Sequence, residues 1–251
     1  MEKKEDEKRK SALAIITARG GSKRIPKKNI KEFCGKPIIH YSIQAALESG
    51  LFAEVMVSTD DKEIAEIAKE AGAKVPFMRS EQTSGDYATT SEVLMEVLKE
   101  YEKRGQTFER FACLYPTAPF ITPQKLCEGL AMLEEKKASM IMPVIPFSFP
   151  PRRANVLNEK GELVYKWEQY RNSRSQDLEV MYHDCGQFYF YNTAEFVKEE
   201  GIIKEGIYPL VLSEMEVQDI DNEVDWQLAE LKYRLLMKNS SQSVKEEESK
   251  H

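Results

Sequence analysis

Thr17-Ala-Arg-Gly-Gly-Ser-Lys-Arg-Ile-Pro-Lys-Lys-Asn29 lies between the apolar run Ala12–Ile16 and an apolar-periodic segment from Ile38 to Leu47. A buried strand that opens into a glycine- and cation-rich loop before a helix is a place to hold phosphate. Gly20 and Gly21 lack Cβ atoms, which lets the backbone turn tightly and aim N–H groups at an anion. Arg19, Lys23, Arg24, Lys27 and Lys28 add five cations within ten residues. Arginine offers phosphate a planar fork and lysine a compact point charge. A basic cluster also reads as a solvated turn; its position directly after a buried strand, in an acidic chain, favours an anion site. The stretch matches neither Gly-x-x-x-x-Gly-Lys-Ser/Thr nor Gly-x-Gly-x-x-Gly, so it reads as a triphosphate cradle of another kind.

The whole chain frames that loop. Its 251 residues suffice for one large or two small domains, and 31% charged content suits a soluble globular protein. The net charge of −6 gives no nucleic-acid footprint, so the local basic cluster points to a small anionic ligand. Cys34, Cys113, Cys127 and Cys185 stand far apart without a Cys-x-x-Cys pair, as expected of reduced thiols rather than zinc or disulfides. The charged Met1–Lys10 segment is no signal peptide, and no apolar run approaches the ~20 residues that span a bilayer. A cytoplasmic protein without membrane contact is expected.

Segments 1–10 and 239–251 read as disordered tails around a domain at 11–238. Strands are expected at Ala12–Thr17, Glu54–Ser58, Lys74–Met78, Phe111–Tyr115 and Ser139–Ile145. Helices are expected at Pro37–Ser49, at Asp61–Ala71, from Thr89 or Thr90 to Tyr101, and from Thr122-Pro123 onward. This alternation implies an α/β domain, a parallel sheet covered on both faces, with ligands beyond the carboxyl ends of its strands. After Ile145 the pattern changes to a Pro- and aromatic-rich antiparallel excursion over about 146–182. It turns at Asn158–Gly161 and is too small to bury both of its faces, which favours a subunit interface over packing on its own sheet. Strands at Gly186–Tyr191 and Tyr208–Leu212 follow. The last helix, capped by Asn222, carries Val224, Leu228, Leu231, Leu235 and Leu236 along one side.

A second constellation is Val217-Gln-Asp-Ile-Asp221. In an extended segment Asp219 and Asp221 share a face while Ile220 points away. Two carboxylates suit a hard cation such as Mg²⁺, which takes one or two carboxylates plus phosphate oxygens; an Asp-x-Asp before a helix also serves as a turn and cap element. Paired with the basic loop, the metal reading gains weight. A third set, Asn172-Ser-Arg-Ser-Gln-Asp177 with Tyr182-His-Asp-Cys-Gly-Gln187, reads either as a polar surface loop or as the lining of a polyhydroxylated ligand's pocket. His183 by itself reads as a surface or structurally satisfied histidine.

Over residues 12–236 the chain resembles the cytidylyltransferases that activate nonulosonic acids, the CMP-sialic acid synthetase family. Ala18–Asn29, Val57-Ser-Thr-Asp-Asp61 and Asp219-Ile-Asp221 carry the resemblance. Asn172–Leu178 and Tyr182–Phe188 narrow it to the branch that acts on pseudaminic acid. The resemblance implies a Rossmann-like nucleotide-binding sheet of the nucleotide-diphospho-sugar transferase type, a homodimer, and reaction of CTP with a nine-carbon sugar acid to give CMP-sugar and pyrophosphate. It implies that Arg19, Gly20, Gly21, Ser22, Lys23, Lys28, Asn29, Arg79 and Thr89 or Thr90 bind the nucleotide. Asp219 and Asp221 then hold Mg²⁺, with Arg19, Lys23 and Asp221 catalytic, and Arg174, Gln176, His183 and Gln187 line the sugar pocket. Sialate enzymes usually carry Gln where this chain has Tyr115, and Arg-Pro-Asn-Gly where it has His183–Gly186. The changed hydrogen-bonding partners favour a sugar other than neuraminate. The competing readings are a neuraminate or legionaminate synthetase, a glycosyltransferase using its Asp-x-Asp, and a silent nucleotide-binding module.

Overall fold

The computed structural model describes residues 12–248, with side chains to residue 238; the expected tail at 1–10 lies outside the described residues, as does 249–251. Strand β1 (Ala12–Thr17) is apolar and fully buried from Ala12 to Ile16, as a strand covered on both faces must be. After the basic loop, β2 (Glu32–Phe33) and β3 (Lys36–Pro37) form a small hairpin turned at Cys34 and Gly35, where φ is 46° and 98°. Helix α1 (Ile39–Ser49) therefore starts two residues later than expected, because Pro37 closes the hairpin ladder instead of opening the helix. Gly50, left-handed at φ 65°, ends it.

Strand β4 (Phe52–Ser58) leads to α2 (Lys62–Glu70), whose first N–H groups bond to the Asp61 carboxylate. The strand expected at Lys74–Met78 is reduced to one bridge, Lys74 with Met56, since Pro76 has no N–H to continue a ladder. A one-turn helix α3 (Glu81–Ser84) precedes α4 (Thr90–Lys103), which begins in a capping box between Thr89 and Glu92. Strand β5 (Arg110–Leu114) and α5 (Pro123–Glu135), capped by Thr122, bring the chain to β6 (Met140–Pro146). The excursion holds the hairpin β7 (Asn155–Leu157) and β8 (Leu163–Tyr165). The chain returns through β9 (Tyr182–Asp184), β10 (Phe188–Asn192), α6 (Thr193–Lys198) and β11 (Ile207–Val211) to α7 (Glu223–Glu248). Helix α7 continues through 239–248, where a disordered tail was expected; the Lys and Glu of that stretch are good helix formers.

The sheet order is β4-β1-β5-β10-β6-β11, with β9 also on β6. It is mixed rather than parallel, because β10 runs antiparallel between β5 and β6. The excursion leaves β6 at its carboxyl end and brings the chain back at that same end, with Tyr182 opposite Pro146, so it re-enters reversed. Helices α1, α2 and α5 cover one face through Ile43, Ile64 and Leu130, and α4 and α6 cover the other through Leu94, Tyr101 and Phe196.

A third apolar cluster positions the site. Ile25 of the basic loop and Ile220, between the two aspartates, pack into one buried group with Phe33, Tyr41 and Trp226. Burying an isoleucine is worth about 1.5–3 kcal/mol, so this cluster pins the two charged segments together. Helix α7 is turned differently from the sequence expectation: Trp226 and Ala229 face inward with Tyr233 and Leu236 against them, whereas Val224, Leu228, Leu231 and Leu235 are exposed. An aromatic stripe at i, i+3, i+7 fits the cluster around Phe33 and displaces the leucine stripe from the core.

Candidate active site

A cleft of about 500 Å³ opens beyond the carboxyl ends of β1 and β5. Arg19, Ser22, Lys23, Arg24, Lys28 and Asn29 line it from the basic loop, with Arg79, Asp86 and Thr90 on a second side and Tyr115, Thr117 and Asp221 on the others. The loop is braced internally. Ser22 Oγ donates to the Ile25 carbonyl at 2.6 Å, and buried Asn29 donates to the Arg19 carbonyl at 2.8 Å. Gly20 donates its N–H to Asp60 Oδ1 at 2.9 Å, so that N–H is not aimed at a ligand as the sequence suggested. Glycine is needed there for another reason: a Cβ would lie 2.8 Å from Asp61 Oδ2. Neither Gly20 nor Gly21 lines the cleft; they shape the loop that does.

The acidic segment meets the loop directly. Arg24 Nη2 lies 2.7 Å from Asp221 Oδ1, and Lys28 Nζ donates to the Ile220 carbonyl at 2.7 Å. Burial lowers the Lys28 pKa, opposed by the charges of Asp221 and Asp219. Asp219 is pushed above the ordinary carboxylate range, first by burial and then by repulsion from Asp221. The segment is clamped on its far side as well. Gln187 Nε2 donates to the Glu216 carbonyl at 2.6 Å, Lys232 Nζ to the Glu214 and Val217 carbonyls, and Asp225 Oδ2 accepts the N–H groups of Asp221 and Asn222.

The expected nucleotide residues Arg19, Ser22, Lys23, Lys28, Asn29, Arg79 and Thr90 thus share one cleft, with Asp221 opposite. Thr89 does not join them, since its hydroxyl is engaged with Glu92 in the α4 cap. Arg79 is buried, its guanidinium on Ser58 Oγ and the Ser58 carbonyl; burial lowers its pKa, and Asp60 opposes that. None of the expected sugar residues lines the cleft. Arg174 pairs with Asp177 on the excursion, Gln176 is exposed, and the His183 ring packs against Phe147. Gln187, also expected at the sugar, is buried with its amide on the Glu216 carbonyl. Cys185, unassigned from the sequence, is a buried thiol on the Pro143 carbonyl with its pKa pushed up to about 12, hence unreactive.

Sequence reasoning missed Asp86 and Thr117 altogether. Asp86 sits in a polar loop whose residue types signal only a turn, and Thr117 in a Pro-Thr-Ala-Pro break of the same kind. Tyr115 was noted only as a departure; its ring packs edge-on against Tyr189, whose hydroxyl donates to both oxygens of Asp184.

A cation-lined cleft of this size at the strand ends of a mixed α/β sheet suits a nucleotide's phosphates, and the sequence places the chain among the nucleotidyltransferases. The sequence model of the family described as Cytidylyltransferase matches residues 13–233, and the chain belongs to that family. It is 40% identical over 223 residues to the pseudaminic acid cytidylyltransferase of Campylobacter jejuni subsp. jejuni serotype O:2, covering 89% of this chain and 96% of that one. It is 33% identical to the CMP-N,N'-diacetyllegionaminic acid synthase of Legionella pneumophila, covering 87% and 94%. Among solved structures, a CMP:2-keto-3-deoxy-manno-octonic acid synthetase complexed with CTP superposes with a TM-score of 0.63 at 19% identity, over 90% of this chain and 99% of that one. That likeness establishes the Rossmann-like fold.

Proposed function

We propose that this chain transfers CMP from CTP to the anomeric hydroxyl of pseudaminic acid, releasing pyrophosphate. The observation that carries the reading is the meeting of Arg19, Lys23, Arg24 and Lys28 with Asp221 in one cleft. The choice of sugar rests on 40% identity to a pseudaminic acid enzyme, against 33% to a legionaminic and 28% to an N-acylneuraminate enzyme.

In this reading Arg19 and Lys23 grip the outer phosphates, and Lys28 and Asn29 hold the loop against the nucleotide. The sugar oxygen forms its bond to the α-phosphorus as the bond to the β-phosphate bridge breaks. The loop cations stabilise the charge that gathers on the departing pyrophosphate. Arg79, which makes two hydrogen bonds to Ser58, presents a fixed charge at the cleft wall. Thr90 and Tyr115 border the nucleoside end.

Asp219 and Asp221 fit a magnesium ion. They are a mutually repelling pair of hard oxygen donors, one half-buried with its charge disfavoured, and a cation relieves both penalties. Two carboxylates alone would leave room for phosphate oxygens and water, the ligands Mg²⁺ prefers. When bound, the ion supplies charge neutralisation on the phosphates.

The excursion supports a homodimer: Leu157 and Leu163 are each 70% exposed on β7 and β8, beside exposed Val156, Val164 and Phe149. Arg174, Gln176 and His183 do not line their own protomer's cleft, so this reading assigns them to the sugar at a second protomer's site. No helix among the described residues is long and apolar enough to cross a membrane, which is compatible with a cytoplasmic enzyme. Incubation with CTP, Mg²⁺ and competing pseudaminate, legionaminate and neuraminate tests the proposal. Pyrophosphate release with preference for pseudaminate is expected; release with none of the three removes it.

A further inference from the structure

The anion on Arg19 and Lys23 in this structure is a side chain. Asp86 Oδ1 lies 3.0 Å from Arg19 Nη1, and its other carboxylate oxygen sits on Lys23 Nζ. One group thus bridges two cations with one oxygen each, as a phosphate does. The two cations hold the Asp86 carboxyl below the usual carboxylate range, Lys23 foremost. Asp86 stands on the turn from Gly85 to Ala88, between α3 and α4, and beside it Tyr87 is 98% exposed. Gly85, Asp86 and Tyr87 are all exposed, and among the described residues the two ion pairs tie Asp86 to the cleft wall. The Asp86 side chain is itself 44% exposed, so water and salt screen both pairs.

We infer that Asp86 is the resident counter-anion of the phosphate cradle: it occupies Arg19 and Lys23 until a polyphosphate displaces it, and reoccupies them when pyrophosphate leaves. The inference rests on the nucleotide reading of the cleft. A tethered carboxylate has a high local concentration, so ligands that engage the two cations weakly do not remove it. A triphosphate engages them through several oxygens and reaches Arg24 and Lys28 in the same cleft. The carboxylate therefore sets a threshold that favours polyphosphate over small anions, and it lowers the affinity of the cradle for the pyrophosphate product. No bond is made or broken by Asp86 in this role.

Calorimetric titration of the metal-free full chain with inorganic tripolyphosphate, pyrophosphate and cytidine tests the inference in wild type, Asp86→Asn, Asp86→Ser and Lys23→Ala. Removing the two screened competing pairs is expected to tighten tripolyphosphate and pyrophosphate roughly fivefold in both Asp86 variants. The gain should shrink at high salt, and cytidine binding should not change. Unchanged or weaker polyphosphate binding in the Asp86 variants, with Lys23→Ala still losing it, overturns the inference and leaves the cytidylyltransferase proposal intact. Loss of cytidine binding in the Asp86 variants also overturns it, by making Asp86 a nucleoside ligand. Tripolyphosphate binding that survives Lys23→Ala removes the phosphate reading of the loop, and the inference with it.

Discussion

The two sides of the cleft are fastened by different means. The acidic side is tied to main chain from several directions, by Gln187, Lys232, Lys28 and Asp225, and Ile220 is sunk in an apolar cluster. On the cation side, Arg19, Lys23 and Arg24 end in partly exposed ion pairs with Asp86 and Asp221. Several hydrogen bonds to part-buried main chain are costly to break together, whereas screened ion pairs exchange partners readily. The contrast implies a fixed carboxylate platform facing a set of cations free to trade one anion for another.

The sharpest attack on this contrast removes one charge from each side. Asp221→Ala and Lys23→Ala should each lower pyrophosphate release by about a thousandfold, the scale of losing a main electrostatic partner, while circular dichroism stays native. Unimpaired turnover in Asp221→Ala would place the metal elsewhere. Loosening the platform comes next. Gln187→Leu leaves the Glu216 carbonyl without its donor, and should cost about 1–3 kcal/mol in urea unfolding. If the proposed metal sits on this segment, it should also cost about 10–100-fold in turnover with a raised metal requirement, the scale of losing a group behind metal ligands. A loss of stability with wild-type metal dependence would separate the clamp from the site.

Asp219 gives a test with a definite sign. Its folded pKa is raised, so the folded chain holds this proton more readily than the unfolded chain does. The associated stability is present below the unfolded carboxylate value and is lost as pH rises through the higher folded value. Asp219→Asn should therefore raise the melting temperature at pH 7 to 8 while lowering turnover; a lower melting temperature there would contradict the burial argument. The smallest effect is expected at Thr89→Ala, about 1 kcal/mol of stability from the lost cap with CTP affinity unchanged, because Thr90 and not Thr89 borders the cleft. A clear fall in CTP affinity would return Thr89 to the site.

Much of this was legible in the sequence where short-range physics decides. The β1 strand, the Thr122 and Asn222 caps and the Gly50 stop follow from local residue chemistry, whereas the shared cleft of the basic loop with Asp221 was expected from their opposite charges and the family resemblance. What escaped depended on long-range contacts. The reversal of β10, the inward turn of Trp226 in place of the leucines, and the capture of the Gly20 N–H by Asp60 are set by partners far along the chain. Asp86 escaped because it acts across 67 residues from Arg19, in a loop with no periodicity to read.

A crystal structure of the protein with CTP and Mn²⁺ addresses the central claim most directly. The account predicts triphosphate oxygens on Arg19 and Lys23, Asp86 swung away, and an anomalous manganese peak on Asp219 and Asp221. A nucleotide bound outside this cleft, or a metal remote from both aspartates, would contradict it.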